Sequence, residues 1–133
     1  MKAVASRVTR ALPIGARVPT CDNSGAKIVE IITVIGHKTV KGRIQAAGVG
    51  DMVMVAIKKG RPDMRKQVAP AIIVRQKREF RRADGTRVTF EDNAVVVCKD
   101  DKGNPKGTFI KGAVAKEAGE RWPGVANIAN ILI

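Results

Sequence analysis

Over most of its length the chain places its apolar positions in short β-branched runs rather than in helical stripes. Residues 27–37, rich in Ile and Val, predict a strand. Residues 52–58 put Met52, Met54 and Ala56 on one parity and Val53, Val55 and Ile57 on the other. Both parities are apolar, the pattern of a strand covered on both faces or coiled tightly in a closed barrel. The runs 71–74 and 94–97 predict two further core strands. Shorter strands are expected over 16–21, at an edge because of Pro19, and over 108–110. Asp22-Asn23-Ser24-Gly25, Gly48-Val49-Gly50-Asp51 and the polar stretch 99–105 read as turns. From Gly112 the period changes. Val114, Ala118 and Trp122 stand at i, i+4 and i+8, which predicts a helix over 112–122 stopped by Pro123-Gly124. Val125, Ile128, Ala129 and Leu132 predict a short second helix. The sum is a mainly β chain, a small closed barrel followed by one or two small helices, because closure removes exposed sheet edges. It is read as one domain over residues 1–133: a basic lead over 1–15, the barrel over 16–110 with a ribbon near 75–90, and a helical segment over 111–133.

Between the runs 71–74 and 94–97 lies Asp84-Gly85, a strong hairpin signal, since a two-residue type I′ turn needs positive φ at both central positions. That turn pairs Ala83 with Thr86, Arg82 with Arg87, Phe80 with Thr89 and Arg78 with Glu91. One face then carries Arg78, Phe80, Arg82 and Arg87, and the other Glu79, Arg81, Val88 and Phe90. Each arm extends roughly 40 Å at about 3.3 Å per residue, so the tip is expected to project. Arg82 facing Arg87 is repulsive in isolation and tolerable with a phosphate between them. The alternative is a hairpin whose cations serve only solubility.

Charge gives this reading its direction. The 133 residues hold 25 Lys and Arg against 12 Asp and Glu, a net charge of +13. Such an excess self-repels and signals an anionic partner: nucleic acid, a membrane surface or an acidic protein. No run approaches the 18 or so apolar residues a membrane span needs, the basic, polar start lacks the apolar core of a secretory signal, and no basic amphipathic helix suits a membrane surface. Only Phe80, Phe90, Phe109 and Trp122 are aromatic, and there is no Tyr. Proteins that hold single strands without sequence preference use several aromatic platforms, so the expected contacts are Lys and Arg to phosphate and to folded RNA shape. The candidates are Lys38, Lys41 and Arg43 in the 36–50 loop; Lys58, Lys59, Arg61, Arg65 and Lys66 in a loop that Gly60 and Pro62 mark; and Arg75, Lys77, Arg78, Arg81, Arg82 and Arg87 on the hairpin. Of these, Arg78, Arg82, Arg87 and the run 58–66 carry the strongest expectation. A solvated loop is the competing reading of 58–66.

Catalytic chemistry finds no footing. Gly48-Val49-Gly50 lacks the further glycine and the Lys-Ser/Thr of a phosphate-binding loop. The acids are scattered or lie in turns, and Glu91-Asp92, adjacent on a strand, point to opposite faces. Ser6 and Ser24 have no base nearby in sequence. His37 is the lone histidine, so neither a zinc site nor a histidine triad is supported. Cys21 and Cys98, without a CxxC pair, read as two buried reduced thiols. Trp122 reads as core packing. No catalytic residue, metal, cofactor or small-molecule substrate is expected.

The pattern Ala71-Ile72-Ile73-Val74, nine residues, Asp84-Gly85, four residues, Phe90, two residues, Asn93, two residues, Val96-Val97 resembles the signature of the universal large-subunit ribosomal protein L14 family. Asp22-Asn23-Ser24-Gly25-Ala26, Ala47-Gly48-Val49-Gly50-Asp51 and Gly107-Thr108 stand in that family's order. The likeness runs from about residue 16 to the end. The stretches 58–66 and 75–78, with Ala115-Lys116-Glu117 and Arg121-Trp122, resemble its archaeal and eukaryotic branch. The resemblance implies a five-stranded β-barrel with a projecting β-ribbon and C-terminal helices. It implies a cytoplasmic structural constituent of the large ribosomal subunit that binds large-subunit rRNA. It also implies a place at the intersubunit interface, bridging to small-subunit rRNA, with large-subunit protein three and the eukaryote-type protein twenty-four as neighbours. The competing reading is a nucleic-acid-binding module of the OB type acting outside the ribosome, against which the few aromatics argue.

Overall fold

The computed structural model describes residues 3–133. In chain order the strands are β1 (Leu12–Pro13), β2 (Arg17–Pro19), β3 (Ala26–Val34), β4 (Ala46–Ala47), β5 (Met52–Gly60), β6 (Val68–Arg75), β7 (Phe80–Arg81), β8 (Arg87–Val88), β9 (Ala94–Val97) and β10 (Ile110–Val114). Helices α1 (Lys116–Arg121) and α2 (Pro123–Ile128) follow, and β11 (Ala129–Leu132) comes last.

The principal sheet has five strands in the order β2-β3-β5-β6-β9, each antiparallel to its neighbours. The two-parity pattern of β5 has a direct cause: Met52, Val53, Val55 and Ile57 are all buried in a central strand. Ala71 to Val74 and Ala94 to Val97 are likewise buried at every position. Bulges in the β3–β5 ladder between Ala26 and Val29 and between Ile31 and Thr33 coil the sheet. The two outermost strands then come together beyond the end of β2. Thr20 bridges Val95 in parallel, and Cys21 N–H donates to the Val95 carbonyl at 3.1 Å. Asp22 completes the stitch, its Oδ2 accepting from Val97 N–H at 3.0 Å and its Oδ1 from the Ser24 hydroxyl at 2.9 Å. Where a fully closed barrel was expected, the outer strands are therefore joined by one bridge and a side chain rather than by a ladder.

The helical segment lies against this sheet. Val114, Ala118, Trp122 and Val125 belong to the same buried cluster as the sheet core, and Trp122 Nε1 donates to the Gly50 carbonyl at 2.8 Å. The first helix does end before Pro123, where Trp122 is extended at φ −125° and ψ 90°, and Pro123 then opens a second helix. It sits at the first turn of α2, where its missing N–H costs nothing. The expected second helix ends at Ile128, and the chain continues as β11, parallel to β10. Val114 belongs to that β10 strand and not to the helix predicted to contain it. The N-terminal lead is also tied down: Leu12 is in the core, and Arg7 N–H donates to the Arg81 carbonyl at 2.9 Å.

The hairpin register differs from the two-residue reading. Arg81 opposes Arg87 and Phe80 opposes Val88. Arg82 N–H donates to the Thr86 carbonyl at 2.8 Å, and Gly85 N–H to the Arg82 carbonyl at 2.9 Å. Ala83-Asp84-Gly85 is thus a three-residue loop whose last residue is left-handed, Gly85 having φ +91°. Asp84 Oδ1 accepts from Thr86 N–H at 2.9 Å, which holds its carboxyl below the usual range. One residue more in the loop exchanges the partners across it. Arg82 now lies on the side of Phe80 and Val88, and Arg87 faces Arg81.

Candidate nucleic-acid interface

The new register decides which ribbon arginines are free. Phe80 is buried, so its side of the ribbon faces the protein. Arg82, on that side, reaches Glu117 of α1. Its Nε donates to Oε1 at 2.7 Å, and its Nη2 lies 3.4 Å from Oε2 and 2.5 Å from the Ile133 carbonyl oxygen. The Glu117 side chain is 1% exposed and that of Arg82 12%. Arg82, expected to face phosphate, here gives its guanidinium to a carboxylate that is buried from water. The same contact holds the ribbon beside its three-residue loop against α1 and the Ile133 carbonyl, so the tip, which was expected to project, is tied to the body.

Arg75 is engaged in a similar way. It pairs with Asp92 at 3.0 Å and donates through Nη1 to the carbonyls of Lys111 and Ala113, each at 3.0 Å. Its side chain is 13% exposed, so it ties β6 to β10 rather than facing a ligand.

The other ribbon cations face solvent. Lys77, Arg78, Arg81 and Arg87 are exposed. Arg87 pairs with Glu79 at 3.0 Å, but both side chains are at least half exposed, so this pair is screened and weak. Arg81 and Arg87 stand directly opposite with like charges. Arg7 joins this edge through its bridge to Arg81, a placement hidden in sequence because the lead has no hydrophobic period.

Two loops add cations. The segment between β3 and β4 exposes Lys38, Lys41 and Arg43 together with Val40 and Ile44. It is braced from within: the Thr39 hydroxyl donates to the Arg43 carbonyl at 2.6 Å, and Gln45 bonds Thr33 on β3 at 3.0 Å. The β5–β6 connection exposes Arg61, Arg65 and Lys66, with Lys58 and Lys59 exposed at the end of β5. Met64 plugs this connection into the core at 3% exposure, and Lys66 N–H returns to the Ile57 carbonyl at 3.0 Å. Lys58 meets Glu30 at 3.4 Å and Arg61 meets Asp63 at 3.7 Å, both partly exposed pairs. Lys41 and Lys66 are the non-glycine residues with positive φ among the described residues, at 66° and 65°. Each costs about 1 kcal/mol relative to ordinary backbone. Both lie at exposed turns of the basic loops.

The remaining candidates for chemistry are structural. Trp122 is in the core, as expected, and Phe80 is covered, which leaves few aromatic faces for stacking bases. His37 Nε2 and Arg121 Nη1 lie 3.5 and 3.4 Å from Asp51 Oδ1, while Asp51 Oδ2 accepts from Gly48 N–H at 2.9 Å. That cluster fixes the Gly48–Asp51 turn against α1. Cys21 and Cys98 are free and buried, and burial pushes both thiols up to about 12. Among the described residues no group of three or more His, Cys, Asp or Glu is placed to hold a metal ion.

Comparison with known proteins gives a consistent picture. A model of the family described as ribosomal protein L14p/L23e matches residues 11–133. The chain is 52% identical over 133 residues to the large ribosomal subunit protein uL14 of Nanoarchaeum equitans, covering all of both chains. It is 57% identical over 132 residues to the protein of that name from Methanococcus maripaludis, covering 99% of each. The Methanococcus vannielii protein is 55% identical over the same length and share.

Proposed function

The chain belongs to the ribosomal protein L14p/L23e family, and from that premise we propose how it serves the large ribosomal subunit. It is a structural ribosomal protein of the cytoplasm and not an enzyme. It binds large-subunit rRNA through Lys38, Lys41 and Arg43, through the run Lys58, Lys59, Arg61, Arg65 and Lys66, and through the outer ribbon edge of Lys77, Arg78, Arg81 and Arg87. Arg75 and Arg82 leave the list of phosphate ligands and become the ties that hold those surfaces in place. The protein contributes to the intersubunit interface, with small-subunit rRNA and large-subunit proteins three and twenty-four (eukaryote-type) among its contacts.

The observation that carries this reading is the division of the arginines. Arg75 and Arg82, 13% and 12% exposed, are each held by a carboxylate together with backbone carbonyls, whereas Arg87, 67% exposed, has only a half-exposed carboxylate partner. The test is the salt dependence of binding to an rRNA fragment. Each lost phosphate contact lowers the log–log slope by roughly 0.7 to 0.9. Arg81→Gln with Arg87→Gln is expected to lower it by about 1.5. An unchanged slope would show these arginines to be merely solvated. In cells, a stoichiometric, salt-resistant presence in large subunits is expected, and recovery only in free pools refutes the ribosomal role.

A further inference from the structure

Three segments distant in sequence meet at the turn Asp22-Asn23-Ser24-Gly25. Ala26 on β3 pairs with Gly60 at the end of β5, which delivers Arg61 beside the turn, and Arg61 N–H donates to the Gly25 carbonyl at 3.0 Å. Asp22 bridges Ile110, and Lys111 N–H donates to the Cys21 carbonyl at 2.6 Å, which delivers the start of β10. Between them is a cavity of about 360 Å³ bordered by Lys27, Arg61 and Lys111.

The cavity is lined by three cations against one acid. Asp22 is the acidic residue in its wall, and both its oxygens are already committed, to Ser24 and to Val97 N–H. The Thr20 hydroxyl, also in the wall, donates to the Ala26 carbonyl. Neither Lys27 nor Lys111 takes part in an ion pair among the described residues. Arg61 has only Asp63, 3.7 Å away, with side chains 62% and 71% exposed. Its guanidinium is nevertheless fixed, because Nη2 donates to the Ser24 carbonyl at 3.0 Å. Gly25 makes that position possible. Its φ is +104°, and a Cβ there would lie 2.3 Å from Arg61 Nε.

We propose that this cleft is a phosphate-oxyanion site in which Arg61, Lys27 and Lys111 converge on one RNA phosphodiester. A planar guanidinium anchored at one nitrogen keeps its remaining N–H groups for an oxyanion, and the two lysines add mobile point charges. The site rests on the reading of the chain as an RNA binder. It adds two residues, Lys27 and Lys111, that stand outside the basic runs of the sequence.

The experiment uses the full chain, a fluorescent rRNA hairpin and inorganic phosphate. Lys27→Gln with Lys111→Gln changes two exposed side chains, and is expected to lower the salt slope of hairpin binding by about 1.5. Millimolar phosphate should shift the Gly25, Lys27 and Lys111 amide signals of the unaltered protein but not of this variant. Gly25→Ala, which evicts the guanidinium, should reduce the phosphate-induced shifts with both lysines present. A slope unchanged by the lysine substitutions but lowered by Arg81→Gln/Arg87→Gln overturns the cleft and spares the RNA reading. If the unaltered protein does not bind the hairpin at all, the RNA reading falls and the cleft with it. Phosphate shifts accompanied by an unchanged slope mark a free-anion site and overturn the phosphodiester assignment. Tighter binding of a polyglutamate peptide than of the hairpin at these amides overturns it in favour of an acidic protein.

Discussion

Removing the Arg82 guanidinium is the sharpest probe of how the ribbon is held. In Arg82→Met the ribbon keeps most of its apolar contact, but Glu117 is left with its carboxylate at 1% exposure and no cation. Stranding a buried charge in this way costs about 3–5 kcal/mol, against a total stability of about 5–15 kcal/mol for a domain. With a urea dependence of about 2 kcal/mol per molar, the unfolding midpoint should fall by about 2 M. The double variant Arg82→Met/Glu117→Leu removes both charges and should recover most of the loss, because burying the pair was itself costly. The assay is urea denaturation followed by Trp122 fluorescence, since Trp122 is the single tryptophan and lies directly after α1. Two results would refute the reasoning: a single variant within about 1 kcal/mol of the parent, or a double variant whose loss is the sum of the two singles. Either would mean that Arg82 is a solvated cation after all, free to meet phosphate.

Two further outcomes follow from buried titratable groups. Cys21 and Cys98, with thiols pushed up to about 12 by burial, should react with a thiol reagent at pH 8 about a thousandfold more slowly than an exposed cysteine of pKa about 8.5; mass spectrometry should show full labelling only in denaturant. Burial also raises the Asp22 carboxyl above its ordinary 3.8. The native state then holds this proton more tightly than the unfolded chain, so the group's contribution to stability is greatest below the unfolded value and declines as pH rises through the folded one. In Asp22→Asn that part of the pH dependence should vanish, so the stability difference between parent and variant, from urea curves between pH 3 and 7, should slope with pH; a flat difference would disprove the shift.

Much of the sheet was legible in the sequence because burial on both faces leaves a signature that alternation does not. The all-apolar runs 71–74 and 94–97 could go only to a core, and they did, as did Met52, Val53, Val55 and Ile57 of the run 52–57, with Met54 and Ala56 half-buried. The ribbon's place was legible but not its register. Asp84-Gly85 serves equally as a two-residue turn or as the end of a three-residue loop with Gly85 left-handed, and local sequence does not choose between them. That single residue exchanged the roles of Arg81 and Arg82, and with them the candidate site. The partners of Arg75 and Arg82 were beyond reach for another reason: Glu117 is 35 residues from Arg82, and the Lys111 carbonyl 36 from Arg75. At the C-terminus, apolar spacing favoured a helix, whereas residues 129–132 are held as a strand by parallel pairing to β10, a tertiary preference that overrides local propensity.

The stitch between the outer strands bears on how fast the chain can order itself. The Asp22 carboxylate and the Val97 amide are 75 residues apart, and Gln76 reaches back 67 residues to the Thr9 carbonyl. Contacts of such span require most of the chain to lose its freedom before the bond forms, and folding rates fall as mean sequence separation rises. A nascent chain that has passed Ile57 can pair β3 with β5, but the outer side of β2 has no neighbour until Val95 arrives. During that interval a strongly basic, β-rich segment offers an open sheet edge to whatever it meets. Folding in this protein is therefore paced from its far end: the early strands wait on β9, and Asp22 reaches its final environment only after three-quarters of the sequence is in place.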